Sequence, residues 1–285
     1  MKPWLIAGIT FALHRVLPGP WVEALALGAV LTLGIAHGAV DPLLARGRAG
    51  FVFYASYAAV ALAVLLVWWL TPSLALLGFL AASVVHFGAG DARNLTRPTP
   101  SAIVARGLMV VGLPLALHPA EVLPIIGALG VVIPEWSSLE GATLAALVVA
   151  WNVLTARRSG AVAVIDVLVL ALSFAVLPPL VSFALYFTAW HAVDHFRDLR
   201  HLDPHRLARR AVLGCLISWA GIALFACATS RWVAPEARWA VVFGFLSAVT
   251  APHMIVVARA HRSPRRSTAM TLAPSWSSEH VSSWS

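Results

Sequence analysis

Charge is scarce in this chain. Asp, Glu, Lys and Arg make up 11% of 285 residues, against about 25% in a soluble domain, too few to cover a water-facing surface. Lysine is scarcest: Lys2 stands alone among the 20 basic residues, and every other one is arginine. Cysteine is nearly absent too. Cys215 and Cys227 lie far apart with no CxxC spacing, which argues against a disulfide framework. The apolar runs lack period-2 alternation and are rich in Leu and Ala, which favours helices over a closed barrel. A cleavable leader is not evident, because the apolar stretch 4–17 carries His14 and Arg15 and ends in Pro18-Gly19-Pro20.

What the chain has in abundance is apolar length. Hydrophobic residues reach 60% and the mean hydropathy is +0.84. Runs of membrane-spanning length, about 20 residues, recur between Pro and Gly punctuation at Thr71-Pro72-Ser73, Pro98, Pro100, Pro178-Pro179, Pro204 and Pro235. The expected fold is all-α, a polytopic transmembrane helical bundle of about nine spans: 21–37, 51–70, 74–90, 102–117, 139–156, 161–177, 180–196, 208–228 and 236–258. A short N-terminal helix at 4–17 and a re-entrant piece or half-helix at 121–133 complete it. Residues 1–261 read as one transmembrane domain and the Ser/Arg-rich 262–285 as a disordered tail.

A net charge of +8 raises the prospect of a nucleic-acid partner. The arginines, however, sit in short connections between apolar runs rather than on one face or arm, so none is expected. With nine alternating spans, sixteen of the 20 basic residues fall at ends that share one side of the membrane, whereas the opposite connections hold only Arg231 and Arg238. That asymmetry is the positive-inside pattern. It predicts a multi-pass protein of the inner (plasma) membrane with a cytoplasmic C-terminus.

Histidines map onto this topology in a pattern that it did not use. His37 in His37-Gly38-Ala39-Val40-Asp41, His86 in His86-Phe87-Gly88-Ala89-Gly90-Asp91, His191 and His195 in Trp190-His191-Ala192-Val193-Asp194-His195, and His253 in Ala251-Pro252-His253-Met254 come from four helices. All five converge at the cytoplasmic depth. His191 and His195 are one turn apart on one helix face, and a transition metal such as iron or zinc accepts several imidazoles. Ionisable residues within membrane helices are functional by default. Asp41, Asp91 and Asp194 are candidates to orient the ligating rings, and Gly34, Gly38, Gly88 and Gly90 to let helices approach. Phe87, Tyr186, Phe187 and Trp190 adjoin the cluster and are candidates to line a substrate tunnel. His14, His118, His201, His205, His261 and His280 read as interfacial or structural, and Asp166 as snorkelling toward Arg157 and Arg158.

A His-rich site with open positions suits non-haem Fe(II) that activates O2. At this point the sequence resembles the Brp/Blh family of bacterial and archaeal β-carotene 15,15′-dioxygenases. The resemblance rests on the five blocks around His37, His86, His191/His195 (from Tyr186), His253, and Gly112-Leu113-Pro114 with His118-Pro119, in the family's order from about residue 30 to 258. It implies a multi-span membrane enzyme holding Fe(II) through His37, His86, His191 and His195. Such an enzyme splits the central double bond of β-carotene, or a related carotenoid, with O2 to give retinal. His253 is expected to stand behind the ligands. Between the paired histidines stands Ala192-Val193-Asp194, where the family has Ser and often a basic residue, so an extra carboxylate lies near the metal. With no lysine in any span, the chain cannot hold retinal as a Schiff base, although a retinal-binding rhodopsin is a natural recipient of the product.

Three other classes meet the same residues. A metal-ion or proton-coupled transporter uses facing His and Asp, more often at the midplane on broken helices with inverted repeats, and no clear repeat is present. A di-iron desaturase carries eight or more clustered histidines. A bis-His haem protein needs only two.

Overall fold

Proline sets where the helices begin. In a computed structural model describing residues 3–45, 49–199, 203–229 and 238–262, proline occupies the first turn of α2 (Gly19–Ala39), α3 (Asp41–Leu44), α5 (Pro72–Ala92), α6 (Pro100–Leu117), α7 (Pro119–Ala128) and α10 (Pro179–Tyr186). Its missing N–H is harmless there and its fixed φ suits the helix. The other helices are α1 (Pro3–Val16), α4 (Phe51–Leu70), α8 (Ser138–Ala156), α9 (Ala161–Val176), α11 (Ala192–Asp198), α12 (Pro204–Thr229) and α13 (Arg238–Arg262). α8 opens with a reciprocal cap in which Ser137 and Glu140 satisfy each other's backbone N–H. Among the described residues there is no strand.

A helix underlies each of the nine expected spans. Among the described residues, six stretches are long and apolar enough to cross a membrane: Gly19–Leu44, Phe51–Leu70, Pro72–Ala92, Pro100–Leu117, Ser138–Ser159 and Phe243–Ala260. α9 is shorter, at 16 residues. Outward faces are apolar: on α4, Phe51, Val52, Leu62, Leu66, Trp69 and Leu70 are exposed while Trp68 is buried. α1 is 14 residues, about 21 Å of helix against a hydrocarbon core of about 30 Å, and it packs on α2, α9 and α10. The half-helix is α7, which begins two residues before the expected 121–133 and ends five before its close. Extended chain follows, and Ile126, Leu129 and Val131 pack against Trp68 and Leu76.

Asp166 does not snorkel. Its carboxylate accepts the Trp4 indole N–H at 2.6 Å, so α1 is pinned to α9. The tail beyond 262, the side chain of His261, and residues Lys2, Arg46, Arg48, Arg200, His201, Arg231, Arg265, Arg266 and His280 lie outside what the structure describes.

Glycine brings the central helices together. A Cβ on Gly88 would strike the Ile103 carbonyl of α6, and one on Gly107 the Val84 carbonyl of α5, so these backbones touch twice. Gly141 of α8 lies as close to the Ala116 carbonyl of α6. Small residues drive such packing where lipid removes the hydrophobic incentive between helices. Polar side chains add cross-links: Asn152 of α8 donates to the Ala105 carbonyl of α6 at 2.7 Å, and the Trp68 indole of α4 donates to Ser247 of α13. Of the glycines singled out in the sequence, Gly34 and Gly90 make room for rings rather than backbones, those of Phe187 and His191. Around Gly38 nothing among the described residues lies within 4 Å of a Cβ position.

Gly88→Ala and Gly107→Ala should each destabilise the bundle by about 2 kcal/mol or more, because backbone cannot yield as a flexible side chain does. Gly38→Ala should be neutral. Thermal unfolding of the detergent-solubilised variants checks both expectations.

Candidate metal centre

Five imidazoles reach one place from separate elements. His37 sits on the last turn of α2, His86 near the end of α5, and His253 on α13 immediately after Pro252, whose missing N–H leaves a backbone carbonyl one turn earlier unpaired. His191 and His195 come from the helix that closes α10. Here the helix is not regular. Phe187–His191 form a π-turn in which the Ala192 N–H bonds back to the Phe187 carbonyl, inserting one extra residue immediately before the histidine pair. Such turns gather at functional sites, and no feature of the residue pattern announces it.

The ring geometry fits a shared ion. Imidazoles at about 2.1 Å from one metal place their ring centres roughly 4.5 Å apart when adjacent and about 6.5 Å apart when opposite. The His37 ring lies 5.0 Å from His191, 4.6 Å from His253 and 6.5 Å from His86, with His195 closer at 3.9 Å. His86 lies 5.0 Å from His191 and 5.3 Å from His253, and His195 lies 5.9 Å from His253. Ring nitrogens of His37, His86 and His191 fall within 4.8 Å of one another. His37, His191, His195 and His253 are buried and His86 is half-buried.

The donors are also unsatisfied. Both nitrogens of His37, and Nε2 of His191 and of His253, are buried without a hydrogen-bond partner. One such group costs about 1–3 kcal/mol, and three rings in one spot, each with one lone pair to give, call for something that accepts those lone pairs. A divalent transition metal does so, and neutral imidazole is its commonest nitrogen donor.

The three aspartates have different partners. Asp41 does not bond His37, one turn away. Its Oδ1 lies 2.8 Å from Nδ1 of His253, and the Tyr57 hydroxyl is 3.2 Å from its Oδ2. Asp91 accepts from the Tyr186 hydroxyl, 3.1 Å from both carboxylate oxygens. Asp194 bonds Asn94 and forms a 2.8 Å ion pair with Arg197 rather than orienting a ring of the cluster. A cavity of about 220 Å³ lined by Gly90, Arg93, Asn94, Asp194 and Arg197 opens beside them. Arg106, counted in the sequence among the interfacial arginines, is 5% exposed on α6, within electrostatic range of Asp91.

Aromatic rings wall the cluster. Phe87 meets His191 edge-on at 4.9 Å and His86 at 5.5 Å, Phe187 lies 5.7 Å from His37, and the Tyr186 ring is 6.1 Å from His191. Trp190 is buried in the same core, its indole N–H without a hydrogen-bond partner. His118 stands apart, with Nε2 on the Phe174 carbonyl at 2.8 Å. Tyr57, Asn94 and Arg106 went unrecognised in the sequence: each stands singly in or beside an apolar run, and only the fold shows which carboxylate it meets.

Residues 28–260, which carry every imidazole of the cluster, match the family model for β-carotene 15,15′-dioxygenase. The chain belongs to the β-carotene 15,15′-dioxygenase family. It is 27% identical over 263 residues to a β-carotene 15,15′-dioxygenase of an uncultured marine bacterium, 66A03, covering 83% of this chain and 93% of that one. It is 26% identical over 284 residues to a probable β-carotene 15,15′-dioxygenase Blh of Halobacterium salinarum, covering 81% and 82%. No solved structure matches. Membership makes the chain a carotenoid-cleaving dioxygenase, so the buried donor set described above belongs to an oxygen-using enzyme.

His86→Ala and His191→Ala should each abolish binding of a divalent transition metal by the purified protein, measured by elemental analysis, whereas His118→Ala should retain it. Asp194→Asn should also retain it, because that side chain is committed to Arg197 and Asn94.

Proposed function

We propose that the chain is a multi-span membrane enzyme that binds non-haem Fe(II) through His37, His86, His191 and His195. It uses O2 to split the central double bond of β-carotene, or a related carotenoid, into retinal. The observation that carries this reading is the set of buried imidazole nitrogens without hydrogen-bond partners on α2, the π-turn segment and α13, with the His86 ring of α5 brought against them. Family membership gives that set its chemistry.

The iron supplies activation of O2, and the chain supplies everything else. Cleavage breaks one C=C and makes two C=O bonds. Both oxygen atoms end in the aldehydes, so no reductant, nucleophile or general acid is drawn from the protein. The task left to the side chains is to orient a rigid polyene and keep water away. Phe87, Tyr186, Phe187 and Trp190 offer apolar faces beside the histidines for that purpose. Tyr186 in turn is held by Asp91, which fixes a ring that stands 6.1 Å from that of His191.

Nine crossings with the arginine-rich ends in the cytoplasm set the cluster just beneath the inner leaflet of the plasma membrane. A carotenoid dissolved in the bilayer then enters laterally. Product retinal leaves into the same lipid, where a retinal-binding rhodopsin can take it up.

Expression in β-carotene-producing bacteria should bleach the orange colour and accumulate retinal, read by chromatography of the extracted lipids. Intact β-carotene beside well-folded, iron-loaded protein overturns the substrate assignment. The purified protein should hold iron without a Soret band, an outcome that a transporter or a bis-His haem protein would not give.

A further inference from the structure

His253 has a place in the cluster that the four-ligand set does not use. It arrives on α13, and its ring stands 4.6 Å from His37, 5.3 Å from His86 and 5.9 Å from His195. These are the separations that rings sharing an ion with those three would have, by the same arithmetic of about 4.5–6.5 Å.

Its two nitrogens are treated differently. Nδ1 lies 2.8 Å from Oδ1 of Asp41, and both side chains are almost wholly buried. Donation of Nδ1–H to the carboxylate leaves the lone pair on Nε2, which is buried with no hydrogen-bond partner. Asp41 is itself fixed. The Tyr57 hydroxyl stands 3.2 Å from Oδ2 and 3.3 Å from the Val249 carbonyl, one turn before His253 on α13, so its single proton ties α4 to both. A pair that served only to join α3 to α13 would leave Nε2 buried and unsatisfied, at a cost of about 1–3 kcal/mol. A carboxylate on one nitrogen of an imidazole whose other nitrogen faces a donor cluster is the arrangement that orients a metal ligand and raises its basicity.

We propose that His253 is a fifth imidazole donor to the iron, and that Asp41, held by Tyr57, is the residue that positions it. The proposal rests on the four-histidine reading above and extends it. Four helices rather than three then close on the ion, and α13 is locked to the bundle when the metal binds.

The test uses the full-length protein in detergent, titrated anaerobically with Fe(II) and separately with Co(II), whose visible absorption reports donor number. His253→Ala should weaken Fe(II) binding by about ten- to a hundredfold. X-ray absorption should show one imidazole fewer, the Co(II) bands should intensify, and added free imidazole should restore the wild-type spectrum. His253→Gln, which keeps bulk in the helix, carries the same expectation for the spectrum if the alanine variant is poorly folded. Asp41→Asn should shift the Co(II) bands while keeping all five imidazoles. Wild-type affinity and an unchanged metal spectrum in folded His253→Ala or His253→Gln overturn the proposal. His86→Ala separates the two levels of the reading. If it retains metal at wild-type affinity, the four-histidine site itself is wrong. If it loses metal while the His253 variants match wild type, only the fifth donor is.

Discussion

A polar atom buried in an apolar bundle must find a partner, and this single requirement organises the histidine-bearing end of the molecule. Charge makes up 11% of the chain, so few neighbours are on hand to supply one. The aspartates in and beside the bundle have recruited a hydroxyl, an amide, an indole or an imidazole: Asp91 has Tyr186, Asp194 has Asn94, Asp166 has Trp4 and Asp41 has His253. Nitrogens of His37, His191 and His253 are the exception, and they are left over in one place. A solvent as poor as the bilayer interior turns that remainder into a strong statement about what belongs there, because the desolvation cost of an unmet donor set is not recovered from water.

Holding five rings at one depth demands that their helices be rigid and close. Gly88 and Gly107 give the α5–α6 contact its backbone-on-backbone character, and His86 rides on α5 a half-turn from that contact. Gly34 and Gly90 act at shorter range, each yielding the space of a methyl group to a ring of the site. Stability and chemistry therefore draw on the same small residues, and the packed helices of the core, rather than any loop, set the distances between the donors.

The helical architecture was legible because apolar run length and proline spacing are local signals. Phe51–Leu70 matches its expected span at both ends, and the others differ by a few residues, as where α12 starts four residues early at Pro204 and α13 runs four past its expected end. The imidazole cluster was legible for a different reason: arginine placement orients the spans, and orientation alone puts His37, His86, His191, His195 and His253 at one depth. Pairwise partners were not legible. Sequence proximity suggested Asp41 for His37, but the chain turns at Val40 and sends that carboxylate to a residue 212 positions away. Arg106 looked like an interfacial arginine because burial of a guanidinium depends on what the neighbouring helices present, which no local window contains. The crossing count is the feature on which composition and geometry speak least alike, since α9 and the interrupted α10–α11 segment are short elements in a bundle of longer ones.

The π-turn at Phe187–His191 gives this bundle an unusual kind of sensitivity. Its extra residue is an insertion in an otherwise continuous helix, and removing one residue there would restore ordinary α-helical bonding with no loss of hydrophobicity. The repaired helix would nonetheless carry everything before the deletion around the axis by about 100° and along it by about 1.5 Å relative to the paired histidines. Tyr186 would swing away from Asp91, and the aromatic wall would lose its registration with the imidazoles. A change that improves the secondary structure would thus dismantle the site, which means that local helical regularity and catalytic competence are in direct opposition at this one turn.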